Sequence, residues 1–127
     1  MPIIIDGWNF IRNDRSPIDD TEIEALDASR CLVGFLERFQ VRHGDPITVV
    51  FDSSSAHLGL GYKNNQSLAV VASKNADDYI KRYIDKIPER QRRSLRVVSS
   101  DKEVYFYAKS AYATPIKSEE FWKKVLS

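Results

Sequence analysis

The chain has 127 residues, a length that suits one domain spanning 1–127, and its 43% hydrophobic content favours a buried core over disorder. Its 19 Lys and Arg nearly cancel its 18 Asp and Glu, and the net charge of +1 excludes a globally basic nucleic-acid binder. An anionic partner must then be held by a local patch or through metal ions. The one cysteine, Cys31, excludes an internal disulfide, and its place among apolar residues predicts a buried small hydrophobe.

Ile3, Ile4 and Ile5 form a short β-branched run, as expected of a strand buried on both faces. This run is too short for a signal peptide and ends in Asp6. No stretch approaches membrane-spanning length, so the expected compartment is the cytoplasm, with no membrane partner. Residues 19–44 read as a long helix, because Ala25, Ala28, Leu32, Phe35, Leu36 and Phe39 recur at three- and four-residue steps. Gly44 and Pro46 mark its end. Residues 47–51 form a second apolar strand that ends at Asp52. Residues 53–66 are polar and contain glycine, as in a long loop.

A third strand is expected at 67–72. Ala76, Tyr79, Ile80, Tyr83, Ile84 and Ile87 then give an amphipathic helix stopped by Pro88. Residues 95–99 read as a fourth strand, 101–111 as a helix with Val104, Ala108 and Ala111 on one face, and 113–116 as a short fifth strand. Ser118 is the expected N-cap of a last helix, with Glu119 and Glu120 in its first turn and Lys123 and Lys124 near its end. The alternation of strands and helices predicts a three-layer α/β/α sandwich around a mostly parallel sheet.

Three apolar strands end alike, in IIID, VVFD and VVSSD. Each places an aspartate, Asp6, Asp52 or Asp101, at or just past the carboxyl end, where open parallel sheets bind ligands. Neighbouring strands would make these acids converge, and convergent carboxylates call for a cation or raised pKa values. The competing explanation is local, since aspartate also suits turns and helix caps. At roughly 100° per residue, Asp77 lies on the flank of the buried helical stripe and Asp78 nearly opposite it. Asp77 is therefore the expected fourth acid. Asn9, three residues after Asp6 across a turn permitted by Gly7, is placed to hold a carboxylate, a water or a phosphate.

These pieces resemble the YacP-like branch of the NYN-domain family, among the PIN-superfamily ribonucleases. The matching segments are IIIDGWNFI at 3–11, VVFDSS at 49–54, NADDYIKRYI at 75–84, VVSSDKEV at 97–104 and IKSEEFW at 116–122, in the family's order. The resemblance implies a PIN-like fold and Mg²⁺- or Mn²⁺-dependent endoribonuclease cleavage of RNA. It places the acidic positions on Asp6, Asp52, Asp77 and Asp101, with Asn9 beside them and Ser100 before the last acid.

Carboxylate-bound divalent ions would activate water and neutralise charge at phosphorus, so no side chain is required as a dedicated base. Arg12, Arg15, Lys63 and Lys102, with Ser100, are the expected contacts to a single-stranded RNA. Trp8 or Tyr62 could stack on a base, although a tryptophan is more often part of a core. The run ERQRR at 89–93 should lie at the sheet edge opposite the aspartates, as a solvated turn or, alternatively, an RNA or ribosome contact. His43 and His57 lack metal-ligand spacing, and GLG at 59–61 is too short for a phosphate loop.

Two other readings remain. A catalytically inactive RNA-binding relative would keep the fold but bind metal poorly, which the complete acidic set argues against. A phosphoacceptor domain would need a second acid beside Asp6 and more than Lys117 as its lysine.

Overall fold

A computed structural model of the protein describes residues 1–52 and 67–127. Five parallel strands form one sheet: β1 (Ile3–Asp6), β2 (Ile47–Asp52), β3 (Leu68–Ser73), β4 (Arg96–Val98) and β5 (Thr114–Ile116), in the order β3-β2-β1-β4-β5. β1 is central. Its Ile5 stands in register with Val49 of β2 and Val98 of β4. All four residues of β1 are buried, because it has a neighbour on each side and helices above and below.

The β-strand period divides the core in two. Ile3 and Ile5 pack on one face with Val49, Phe51 and Val70, beneath α1 (Gly7–Ile11), α2 (Ala25–His43) and α5 (Ser118–Val125). Ile4 and Val50 pack on the other face with Ile80, Ile84, Val104 and Ala108 of α3 (Ala76–Lys86) and α4 (Lys102–Ser110). This is the three-layer α/β/α arrangement expected from the strand–helix alternation. The chain order reverses across β1 and β4, so the crevice beyond their carboxyl ends is a topological switch point.

Several local expectations need correction. α2 begins at Ala25 rather than near residue 19. Asp19 instead accepts hydrogen bonds from the Thr21 amide and hydroxyl, a side-chain turn that competes with helical backbone bonding. The helix stops as expected: Gly44 is left-handed at φ 80°, and its amide donates to the Gln40 carbonyl. Cys31 is exposed, not buried. The buried stripe of Ala28, Ser29, Leu32, Val33, Leu36 and Phe39 is centred roughly 120° around the helix from it.

Gly7 opens a short helix instead of a glycine-specific turn. A Cβ there would stand 2.6 Å from the Phe51 ring and 3.0 Å from the Val50 carbonyl oxygen, so the position needs glycine for close approach. Ser118 is not a cap; Lys117 holds that position, and Ser118 is buried in the first turn of α5. The run Glu89–Ser94 is a 3₁₀ helix leading into the amino end of β4, at the edge opposite the strand-end aspartates. No described helix is long and apolar enough to cross a membrane.

Candidate active site

The carboxyl ends of β1 and β2, the start of α3 and the turn after β4 border one open cleft of about 670 Å³. Asp6, Asp52, Asp77 and Asp101 all line it, together with Asp14, Trp8, Asn9, Arg12 and Asn13. The topology accounts for the convergence. Asp6 and Asp52 end adjacent strands, Asp101 follows the strand on the other side of β1, and α3 begins beside them after β3. Among the described residues five acids and one arginine line the cleft, a balance of charge that favours cations.

Burial and mutual repulsion show in the acids themselves. Asp6 is 7% exposed, and burial, aided by the Asp77 charge, pushes its pKa up to about 6. The Ser99 hydroxyl works the other way, donating to Asp6 Oδ2 at 3.3 Å. Asp77 is also raised, first by burial and then by Asp101 and Glu103, while Lys81 opposes the shift. Asp78 is exposed and pairs with Arg82 at 3.1 Å on the solvent side of α3. The helical phase thus separates the two neighbours as expected.

Asp101 combines both expectations for a strand-end acid. It lines the cleft, and its Oδ1 also caps α4, accepting from the Glu103 and Val104 amides at 2.9 and 3.3 Å. A further acid joins it. Carboxylate oxygens of Asp77, Asp101 and Glu103 all lie within 4.8 Å of one another. Sequence reasoning missed Glu103, although its place two residues after Asp101 was the available signal. Glu103 also pairs with Lys81 at 2.6 Å.

The backbone of Asn9 favours the charged form of Asp6, and its side chain joins neighbouring elements. Its Oδ1 accepts from the Ser100 amide and the Ser118 hydroxyl, each at 2.8 Å. It thereby ties α1 to the turn carrying Asp101 and to α5. The Ser100 hydroxyl is engaged too: it donates to Glu119 Oε2 and accepts from the Ser118 amide, at 2.8 and 2.9 Å. Trp8 is half-buried, packs on Phe51 with centroids 4.9 Å apart, and donates its indole N–H to the Asp52 carbonyl at 2.8 Å. It is a wall of the cleft and a fixture of the core at once.

Arg12 lines the cleft, lies over the Trp8 ring at 5.2 Å and pairs with Asp20 at 2.9 Å. Arg15 is exposed and does not line it. Lys102 and Ser100 line a neighbouring cavity instead. Tyr62, Lys63, His57 and the loop expected at 53–66 lie outside the described residues.

No curated protein sequence matches the chain. Solved structures that match it include Rae1 (YacP) from Bacillus subtilis and its W164L mutant. Both are 21% identical to this chain and cover 99% and 98% of it and 74% of their own length, with TM-scores of 0.73 and 0.75. That likeness shows the fold. The family model of the YacP-like NYN domain matches residues 3–127. The chain therefore belongs to the YacP-like NYN domain family, and its fold is that of the PIN-like nucleases.

Proposed function

We propose that this protein is a divalent-metal-dependent endoribonuclease that hydrolyses phosphodiester bonds of single-stranded RNA in the cytoplasm. The observation that carries the reading is the convergence of Asp6, Asp52, Asp77 and Asp101 on one cleft at the switch point of the sheet.

The residues fit a hard cation. All the candidate donors are carboxylate oxygens, the ligand type that Mg²⁺ and Mn²⁺ prefer. The 4.8 Å spread of the Asp77, Asp101 and Glu103 oxygens is close to what one ion can bridge, since opposite ligands of an octahedral Mg²⁺ stand about 4.2 Å apart. Asp77 and Asp101 are the proposed ligands, with Asp6 and Asp52 completing the set directly or through water. A bound ion supplies charge neutralisation at the phosphate and activation of water.

The protein's own groups do the positioning. Ser99 holds Asp6 and the Asp101 amide in one network. Asn9 fixes the turn that presents Asp101, and Ser100 braces that turn against α5. Both are positioning residues. Arg12 is the proposed phosphate contact in the cleft, with Lys102 at its margin. Trp8 offers a ring to an unpaired base.

The test is cleavage of several labelled single-stranded RNAs by the purified protein, with Mg²⁺ or Mn²⁺ and with chelator. The expected result is internal cleavage that chelator abolishes. Cleavage that survives chelation, or RNA binding without cleavage in Mn²⁺, would overturn the reading, and the latter would mark an inactive RNA-binding relative.

A further inference from the structure

Beyond the turn carrying Asp101, α4 turns an unusual face outward. Lys102, Tyr105, Phe106 and Lys109 follow the i, i+3, i+4, i+7 spacing of a single helical stripe. Val104 and Ala108, which are buried, anchor the other side of the helix. The outward stripe runs about 10 Å along the helix. It borders a cavity of about 430 Å³ whose other wall is formed by Lys117, Ser100 and Glu119.

The chemistry of this groove is cationic and aromatic together. Phe106 is 57% exposed, and its ring meets Tyr105 edge to face with centroids 5.4 Å apart. Among the described residues, Arg12, Lys81, Arg82 and Arg96 are held in ion pairs, whereas Lys102, Lys109 and Lys117 are in none. The single acid among the groove's described residues, Glu119, is held on one oxygen by the Ser100 hydroxyl at 2.8 Å and the Asn13 amide at 3.1 Å.

The groove is continuous with the acidic cleft. Asp101 lines the cleft and Lys102, the next residue, lines the groove. Asn13 lines the cleft and Ser100 the groove, and Glu119 is clamped between them. A strand whose phosphate sits among the aspartates has this groove as its immediate neighbour.

We propose that single-stranded RNA runs from the acidic cleft into this groove, where Tyr105 and Phe106 stack unpaired bases and Lys102, Lys109 and Lys117 hold the adjoining phosphates. Stacking platforms flanked by cations bind single strands with little regard to sequence, because every base has a π-face. A duplex keeps its bases stacked on one another and gains only the charge contacts. The proposal takes from the preceding reading only that the substrate is RNA; it does not require cleavage.

The test is fluorescence anisotropy of a labelled single-stranded RNA with the full chain, in low salt with chelator to prevent hydrolysis. Phe106→Ala and Tyr105→Ala should each weaken binding about five-fold or more. Lys109→Ala and Lys117→Ala should weaken it and lower the slope of log affinity against log salt by about 0.7 each. Arg90→Ala, which removes a charge at the opposite sheet edge, should bind like wild type. The RNA in duplex form should bind more weakly and be insensitive to Phe106→Ala. Circular dichroism identifies any variant that fails to fold, and the lysine and phenylalanine positions are exposed enough to tolerate alanine.

Wild-type affinity in the groove variants, losses as large in Arg90→Ala, or no RNA binding by wild type would each overturn the proposal. Groove-dependent binding without metal-dependent cleavage would uphold it while the nuclease reading fell. Metal-dependent cleavage with unchanged binding in the groove variants would do the reverse.

Discussion

Ser99 and Asp6 are joined by a buried hydrogen bond, the serine hydroxyl donating to Oδ2 at 3.3 Å across the β1–β4 boundary. The same hydroxyl oxygen accepts from the Asp101 amide at 3.1 Å. One side chain therefore couples the acid that ends β1 to the turn that presents the acid after β4.

Removing that hydroxyl should act on both ends. Ser99→Ala leaves the Asp6 carboxylate without a donor that favours its charged form, so the Asp6 pKa should rise further. It also leaves the Asp101 amide without its partner, at a cost of about 1–2 kcal/mol. Cleavage measured against pH should show its acid limb displaced upward, and urea unfolding should show the lost stability. An acid limb unchanged from wild type would mean that Asp6 does not govern it.

Asp6 makes stability depend on pH with a definite sign. Its folded pKa of about 6 lies above the ordinary carboxyl value of 3.8. Between these values the native state binds more protons than the unfolded chain, so stability falls as pH rises through that window and this contribution is flat on either side. Asp6→Asn removes the titration and keeps an acceptor for Ser99. In chelator at pH 7 the variant should be more stable than wild type, by on the order of 2–3 kcal/mol, and below pH 4 it should have no advantage. Urea unfolding across this range measures the difference. Parallel curves for the two proteins would sink the assignment.

The strands were legible because β-branched runs such as Ile3–Asp6 leave little ambiguity, and the aspartates because each closes such a run. Helical phase was enough to separate Asp77 from Asp78, since Ala76, Ile80 and Ile84 mark a clear buried face. Long-range pairings were not legible. Nothing in the spacing of Asn9, Ser100, Ser118 and Glu119 announces that they form one network, in which the Asn9–Ser118 bond alone spans 109 positions of chain. Ser118 and Asp101 have the same local preference for caps, yet one caps and the other is drawn into the network. Gly7 misled in another way, because its reason is the Phe51 ring beside it in space and not its own backbone.

The separation of Asp77 from Asp78 is open to direct test. Asp77 borders the cleft with Asp101, whereas Asp78 pairs with Arg82 outside it. Asp77→Asn should lower the cleavage rate at least about ten-fold, the effect of losing roughly 1.4 kcal/mol of transition-state stabilisation. Asp78→Asn should leave it near wild type, since exposed i,i+4 pairs contribute only about 0.3–0.5 kcal/mol to stability. Equal losses in the two variants would contradict the site.

Gly7→Ala probes the close approach of α1 to β2. The new methyl must displace the Phe51 ring, against which Trp8 packs, and meets backbone at Val50. Overpacking of this kind costs about 1–3 kcal/mol. Because Gly7 follows Asp6 directly, cleavage should fall as well. A variant with unchanged unfolding midpoint and activity would show that the ring moves freely and that the contact is not tight.

Asp101 separates a capping role from a cation-binding one. It caps α4 through Oδ1, and its carboxylate also lies within 4.8 Å of those of Asp77 and Glu103. Asparagine caps as well as aspartate, but alanine does not, and losing the cap costs about 1 kcal/mol. Without metal, Asp101→Asn should be as stable as wild type or more so, because it removes one repelling charge and keeps the cap. Asp101→Ala should gain the same relief and lose the cap, so it should fall below Asp101→Asn. Mg²⁺ should raise the melting temperature of wild type, because an ion that prefers the folded state stabilises it by mass action. The rise should be smaller for both variants, which lack the charge. Thermal unfolding of the three proteins, with chelator and with Mg²⁺, gives six values to compare. Equal protection of all three by Mg²⁺ would leave Asp101 a helix cap and nothing more.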